Sequence, residues 1–178
     1  MLDVDDKVYF DGLTAQKSIE DLKKLKNSNS PFFLAVGFVK PHLPFTAPKK
    51  YWDLYKESDI KLPDHNIFPE SAPNLANHKW GELRRYKGIP KIGPIDPEMS
   101  KTLIHAYYAS VSYVDAQIGK LLNALDDLGL RDSTIVVLVG DHGWSLSEHG
   151  LWAKHSNFEV ALHVPMIISA PNFPVNVK

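Results

Sequence analysis

The chain has no cysteine among its 178 residues. This absence excludes disulfide bridges, thiolate metal sites and cysteine nucleophiles within the sequence, and it leaves the redox compartment open. An excess of one charge is also lacking, because 20 basic and 21 acidic residues give a formal net charge of −1. Without a basic block, we do not expect nucleic acid as a partner.

Long hydrophobic runs are absent as well. Pro, His or Lys interrupts the apolar stretches within about ten residues, whereas a membrane-spanning helix needs about 20 apolar residues. We therefore expect no membrane span. The segment 1–6 lacks the basic start and apolar run of a signal peptide, so any export signal would lie upstream or be absent. With 44% hydrophobic residues, the chain can bury the core of one domain or part of one.

The order of the apolar patterns predicts an α/β fold. Apolar residues at helical spacing indicate amphipathic helices, and continuous apolar or β-branched runs indicate buried strands. The helices are predicted at 13–25 and 97–128, and the strands at 32–39, 134–139 and 164–169. Strand, crossover helix and strand predict a doubly wound, mostly parallel sheet with flanking helices, here only partial and incomplete at the amino-terminal end.

A proline-rich loop follows the first predicted strand. Pro41 and Pro44 bracket His42 and exclude a regular helix or a central strand there. Open α/β sheets bind ligands outside the carboxyl ends of their strands, which is where this loop should lie. Because Asp141 follows the strand at 134–139, we expect His42 and Asp141 to share one crevice.

A carboxylate and an imidazole stand side by side in Asp141-His142-Gly143. Gly143 permits a tight turn, so both side chains could face one cation; a turn capped by Asp141 without a metal is the alternative. A hard cation such as calcium takes six or more oxygen ligands, so these two residues cannot complete its coordination. The sequence offers no other obvious cluster of ligands.

Two further segments could contribute to a binding site. Lys154 could hold an oxyanion as a point charge, and His42 could donate to the same anion or protonate a leaving oxygen. Taken singly, each could equally be a surface residue. The segment 56–97 is predicted to be a functional loop or an insertion. Its aromatic and basic residues at 80–86 could contact an acidic sugar or simply pack the loop.

Three segments stand in a fixed order: FFLAVGFVKPHLP at 32–44, YYASVSYVDAQIG at 107–119 and GDHGWSLSEHGLWAKHSNF at 140–158. Together they resemble the type I sulfatases of the alkaline-phosphatase-like superfamily, and among these the iduronate-2-sulfatase group. Their order over most of the chain makes the resemblance far more specific than any one motif. It implies that residues 1–178 form a single, partial sulfatase catalytic domain.

The resemblance also implies roles for particular residues. Asp141 and His142 would be two ligands of one calcium ion whose remaining ligands lie upstream of this chain. His42 and Lys154 would be catalytic residues that contact the sulfate ester, and Trp144 would lie near the sugar. In such enzymes a formylglycine made within a Cys/Ser-X-Pro-X-Arg motif attacks sulfur, and a pair of aspartates completes the metal site.

The sequence contains no Cys/Ser-X-Pro-X-Arg motif. Asp5 and Asp6 are adjacent but do not follow an apolar strand, so the family's aspartate pair is not assigned to them. The nucleophile is therefore expected in a missing amino-terminal half of the domain. Because metal and anion contacts lower a barrier only when a nucleophile is held against the reacting atom, the chain by itself should be inactive.

The expected activity of the complete protein is hydrolysis of a sulfate ester on a sulfated uronic-acid-containing glycan. A phosphatase or phosphodiesterase of the same superfamily is one alternative, and two metal ions with extra His or Asp ligands would favour it. A non-catalytic domain that binds sulfated sugars is another. Relatives by resemblance are lysosomal in animals and periplasmic or secreted in bacteria.

Overall fold

The structure is a computed structural model that describes residues 2–77 and 81–173. Within these ranges the helices are α1 (Phe10–Asn27), α2 (Lys49–Trp52), α3 (Pro97–Asp127) and α4 (Glu159–Leu162). The strands are β1 (Val136–Val139), β2 (Ser145–Leu146), β3 (Trp152–Ala153) and β4 (Met166–Ser169). No helix over these ranges is both long and apolar enough to cross a membrane.

Helices α1 and α3 confirm the two helices expected from the apolar periodicity. Helix α3 begins with Pro97 after Asp96, whose carboxylate accepts a hydrogen bond from the Met99 N–H at 3.0 Å. A capping acid followed by proline is a favoured helix start. The helix ends before Gly129, whose φ of +64° is the left-handed conformation that terminates many helices.

The buried face of α3 is more polar than hydrophobic periodicity predicts. The apolar Val111 is exposed, whereas the polar Ser110 and Gln117 are fully buried. The Gln117 amide donates to the Asp6 carboxylate at 3.2 Å and to the Tyr113 carbonyl at 3.0 Å. Burial of polar groups is tolerated because each finds a hydrogen-bond partner, and such partners cannot be read from periodicity.

Asp6 is buried and is the centre of an ion-pair cluster near the start of α1. The ammonium groups of Lys50 and Lys120 lie 2.8 and 2.6 Å from its two oxygens, and the Tyr51 hydroxyl donates to it at 2.9 Å. Burial alone would raise the pKa of Asp6, but these donors, together with Gln117, hold it well below its ordinary range. Asp6 thus pairs with lysines that tie it to α2 and α3.

The described strands form two antiparallel pairs. Strand β1 pairs with β4, from Val136 opposite Ser169 to Val139 opposite Met166, and β2 pairs with β3. The expectation that the strands at 134–139 and 164–169 belong to a mostly parallel arrangement is therefore corrected for this pair. The connection 140–165 starts and ends at the same edge without a long crossover helix, so the chain returns antiparallel.

The apolar run at 32–39 is extended but is not a hydrogen-bonded strand within the described ranges, so that part of the prediction was wrong. Its residues alternate in exposure: Phe32 and Leu34 pack into an apolar cluster between α1 and α3, while Phe33 is 91% exposed. Val137 of β1 is exposed in the same way. An apolar run signals burial, but hydrogen-bond pairing also requires a neighbouring strand.

The larger apolar cluster lies beneath the loops that follow 39 and 139. Its largest buried members are aromatic, and fully burying one such side chain contributes about 1.5–3 kcal/mol. They are Phe45, Tyr51, Trp52, Tyr113, Trp144 and Trp152. In its described part, the long segment 56–97 forms only three-residue 3-10 turns before α3 begins, but it adds Ile60 and Leu83 to this cluster. It is thereby fixed against the body of the domain.

Candidate anion and metal site

The loop that carries His42 is anchored by the first turn of α1. Asp11 is buried, and its carboxylate accepts hydrogen bonds from the backbone N–H groups of Val39 at 2.9 Å and Lys40 at 2.8 Å. The His42 Nδ1 lies 2.9 Å from the Leu43 carbonyl oxygen, an acceptor, so Nδ1 carries the proton in that hydrogen bond. This contact directs Nε2 into the site.

The Lys40 side chain also stabilises the loop that carries His42. Its ammonium donates to the carbonyl oxygens of His42, at 3.4 Å, and of Pro44. Burial lowers the pKa of Lys40, and the nearby Asp11 carboxylate opposes that shift. The loop is therefore held by buried charge at both ends, which fixes the position of the His42 ring.

The β2–β3 hairpin brings Trp144 and Lys154 together. Ser145 pairs with Ala153, so Trp144 and Lys154 occupy the next opposed positions. The Lys154 ammonium lies 5.2 Å from the centroid of the Trp144 ring, within the range of a cation–π contact. A two-strand register thus positions a cation over an aromatic face.

Helix α4 holds the entry to this hairpin. The N–H groups of Gly143 and Trp144 donate to the carbonyl oxygens of Ala161 and Val160, both at 2.9 Å. A Cβ added at Gly143 would lie 2.0 Å from the Val160 oxygen, closer than real Cβ contacts come. Glycine is therefore required for this close approach rather than for turn flexibility alone, which the sequence pattern suggested.

The β2–β3 hairpin contains backbone strain. Ser147, His149 and Ala153 have φ values of +88°, +56° and +75°, which non-glycine residues seldom adopt. Such conformations cluster at functional sites, where the surrounding structure enforces them.

The Glu148 carboxylate accepts a hydrogen bond from the Leu146 N–H within the turn. Burial raises the pKa of Tyr107 beneath the loop to about 12, with a smaller contribution from Glu148.

Lys154, His42 and Glu82 meet in one cluster. The Lys154 ammonium contacts the His42 Nε2. The Glu82 carboxylate lies beside both, with Oε1 3.3 Å from the His42 Nε2 and Oε2 3.5 Å from the Lys154 Nζ. The structure thus brings His42 and Lys154 together, as expected, and adds Glu82, which the sequence analysis did not single out. Glu82 follows no periodic pattern that could have revealed it.

Trp144 forms the common wall of the site. Its ring centroid lies 5.3 Å from that of His42 and 5.9 Å from that of His142, and Phe45 packs against it at 5.8 Å. The side chain is only 8% exposed, so most of the indole serves packing. Through Trp144 the loop after 39 and the loop after 139 line one crevice.

Asp141 and His142 lie at the open side of the crevice. The Asp141 side chain is 90% exposed, and its Oδ2 is 3.7 Å from the His142 Nε2. The His142 Nδ1 lies 2.7 Å from the Gly143 carbonyl, which leaves Nε2 as the nitrogen for a ligand. Over residues 2–77 and 81–173, no three His, Asp or Glu side chains gather as a metal site. Asp141 and His142 alone are too few donors to complete the coordination of a metal ion.

The structure describes only some of the aromatic and basic residues at 80–86. Trp80 lies outside the described residues. The Arg84 guanidinium donates to the carbonyl oxygens of Pro90 at 2.8 Å and Gly93 at 2.6 Å. These bonds hold the loop together, and they favour the packing role that the sequence left open for Arg84.

The family model for sulfatases matches residues 3–175. The chain belongs to the sulfatase family. Sulfatases of this family are generally metal-dependent. The α/β fold expected from the sequence is likewise the fold of this family, as solved structures confirm.

Individual relatives extend over nearly all of the sulfatase chain. Iduronate 2-sulfatase from Homo sapiens is 44% identical over 177 residues, covering 96% of this chain and 32% of that protein. The sulfatase-like protein yidJ from Bacteroides fragilis superposes with a TM-score of 0.68 at 28% identity, covering 92% and 31%. A phosphonate monoester hydrolase from Silicibacter pomeroyi gives 0.66 at 26%, covering 86% and 33%. The chain thus spans about a third of the length of these relatives.

Proposed function

We propose that this chain supplies the sulfate contacts and part of the metal site of a sulfuric ester hydrolase. The observation that carries the proposal is the contact between Lys154 and His42 in a crevice that also holds Asp141 and His142. Two nitrogen donors beside a partial metal site match what a sulfate monoester presents, namely anionic oxygens and an ester oxygen that must leave with a proton.

Each residue has one role in this proposal. Lys154 binds a sulfate oxygen as a point charge, and His42 directs Nε2 to the leaving ester oxygen. Asp141 and His142 would hold a calcium ion, which when bound polarises the sulfate group. Trp144 orients both histidines, and only its small exposed edge remains for the sugar. The attacking nucleophile comes from a segment outside residues 1–178, because the formylglycine motif does not occur here.

The proposed substrate is a sulfated glycan that contains uronic acid. The similarity to a protein named iduronate 2-sulfatase, at 44% identity over nearly the whole chain, supports this class. A phosphonate or phosphate ester is the second candidate, favoured by the similarity to the phosphonate monoester hydrolase. Both substrate classes are tetrahedral oxyanions that a lysine and a histidine can bind.

The proposal is tested by sulfate release from a complete polypeptide, meaning residues 1–178 together with the segment that carries the nucleophile. Lys154→Ala should lower kcat/KM by about 100-fold or more, as loss of an oxyanion contact does. Lys87→Ala, which removes an exposed lysine, is the matched control. Asp141→Ala should abolish the response to added calcium. Equal turnover by Lys154→Ala would refute the sulfate contact, and faster cleavage of phosphonate esters would favour the second candidate.

A further inference from the structure

The Glu82 carboxylate faces the two nitrogen donors from the side of the long segment 56–97. Its two oxygens lie 3.3 Å from the His42 Nε2 and 3.5 Å from the Lys154 Nζ. The side chains of Glu82 and Lys154 are only 18% and 19% exposed, so solvent screens this contact weakly. We propose that Glu82 is a positioning residue that holds His42 and Lys154 at the anion site, an inference that rests on the function proposed above.

Electrostatics explains why such a residue is needed. The Lys154 ammonium is in contact with the His42 ring, so a second proton on that ring would place two positive charges side by side. A carboxylate within ion-pair distance of both nitrogens offsets this repulsion and favours one arrangement of the two side chains. Without the carboxylate, we expect the Lys154 ammonium and the His42 ring to move apart and to adopt other rotamers.

The count of donors leaves room for a substrate. A lysine ammonium has three N–H donors. The contact with the His42 Nε2 and the ion pair with Glu82, at 3.5 Å, use at most two of these donors, so at least one remains for a sulfate oxygen. Glu82 therefore does not need to leave when an anion binds. It sets the direction of the remaining donor and keeps the His42 ring beside it.

The backbone around Glu82 is rigid enough for this role. The next residue, Leu83, is buried in the larger apolar cluster. The Arg85 N–H donates to the Glu82 carbonyl at 3.2 Å in the 3-10 turn Leu83–Arg85. The Arg84 guanidinium ties the turn to two carbonyl oxygens further along the loop. The carboxylate is thus presented by a braced turn, as a positioning group must be.

The test is steady-state kinetics of sulfate release by the complete polypeptide with an aryl sulfate. Glu82→Gln keeps the size of the side chain and removes its charge. We expect kcat to fall about 10- to 100-fold, because misplaced donors stabilise the transition state poorly. KM should stay within about threefold, since loss of the carboxylate also removes a repulsion of the anionic substrate. Glu82→Asp keeps the charge and should lose less activity.

Two comparisons separate positioning from a general structural effect. Glu70→Gln removes an exposed carboxylate from the same segment and should leave kcat unchanged. In a Lys154→Ala background, Glu82→Gln should have much less effect than in the unmodified protein, because its partner is gone. Thermal melting of each variant shows whether it is folded.

A kcat for Glu82→Gln within about twofold of the unmodified protein would overturn the inference while leaving the proposed function intact. Fully additive losses in the Lys154→Ala background would also overturn it, and would assign Glu82 to loop stability. An unmodified complete polypeptide that releases no sulfate would overturn the proposed function, and this inference with it.

Discussion

At the scale of single residues, two buried aspartates near α1 are stabilised in different ways. Asp6 is neutralised by the ammonium groups of Lys50 and Lys120. Asp11 instead accepts two backbone N–H groups from the loop that leads to His42. Hydrogen bonds to a charged group contribute about 1.5–3 kcal/mol each, and this offsets the cost of removing each carboxylate from water. The first fixes helices to each other, and the second fixes the site loop.

The Asp6 cluster predicts how stability depends on pH. Because the pKa of Asp6 is lowered in the folded chain, its stabilisation is fully present above the unfolded value of about 3.9 and is lost as pH falls towards the folded value. Asp6→Asn should lower the free energy of unfolding at pH 7 by about 1–3 kcal/mol, discounted because both lysines are half exposed.

Urea unfolding of the 178-residue chain at pH 7 and pH 3 checks this prediction. The unmodified chain should lose more stability between the two pH values than Asp6→Asn does. Asp53→Asn, which breaks an exposed ion pair with Lys49, is the control and should change stability by at most about 0.5 kcal/mol. Identical pH dependence for the unmodified chain and Asp6→Asn would show that Asp6 is not the titrating group.

Sequence reasoning at this scale found the groups with distinctive chemistry and missed their supports. His42 and Lys154 were singled out because a histidine between prolines and a lysine in a motif-rich segment are conspicuous. Asp11 and Glu82 were missed because an acid in a first helical turn or in a loop usually faces solvent. Only the tertiary contacts distinguish them from the other acidic residues.

At the scale of elements, the β2–β3 hairpin and α4 act as one unit. The hairpin sets Trp144 opposite Lys154, and α4 holds its entry through backbone hydrogen bonds to Gly143 and Trp144. Positive φ values at Ser147 and His149 in the loop between the strands, and at Ala153 in β3, keep the hairpin in a strained form. Strain of about 1–3 kcal/mol at each must be balanced by packing such as that of Trp144 and Trp152.

This arrangement predicts that substitution of Gly143 lowers the stability of the chain. Gly143→Ala places a Cβ against the Val160 carbonyl and should destabilise the chain by about 1–3 kcal/mol, because backbone on both sides has to shift. The control is Gly119→Ala within α3, where a Cβ meets nothing within 4 Å and helix propensity should improve stability by about 0.5–1 kcal/mol. Thermal unfolding followed by circular dichroism distinguishes the two. Equal melting temperatures would contradict the close packing of α4.

The helices were predictable from the sequence and the sheet was not. Helices α1 and α3 satisfy their backbone hydrogen bonds within one segment, so local periodicity and caps locate them. Strand pairing is non-local, and the run at 32–39 looks like a buried strand whether or not a partner lies beside it. The antiparallel direction of β4 likewise depends on how the connection 140–165 returns, which no local pattern records.

At the scale of the whole molecule, the small sheet presents an uncovered apolar face. Val137 and Val139 of β1 lie opposite Ile168 and Met166 of β4, and each of the four side chains is half or more exposed. We call these four residues the open sheet face. A contiguous apolar patch of this kind usually marks an interaction surface. The chain spans about a third of its relatives, and we expect other segments of a sulfatase domain to cover the face.

This expectation predicts opposite effects of charge in two contexts. The double substitution Val139→Lys and Met166→Lys should make the 178-residue chain less prone to self-association, because it breaks the exposed patch. In the complete polypeptide the same pair should lower stability by about 3 kcal/mol or more, because the lysines would be buried without partners. Light scattering measures the self-association of the 178-residue chain, and thermal unfolding measures the stability of the complete polypeptide.

The control is Leu75→Lys, at a position 93% exposed in the long segment, which should change neither self-association nor stability. If the complete polypeptide tolerates the double substitution as well as Leu75→Lys, the open sheet face stays solvent-exposed there and some other surface of this chain must carry the contact with the rest of the domain.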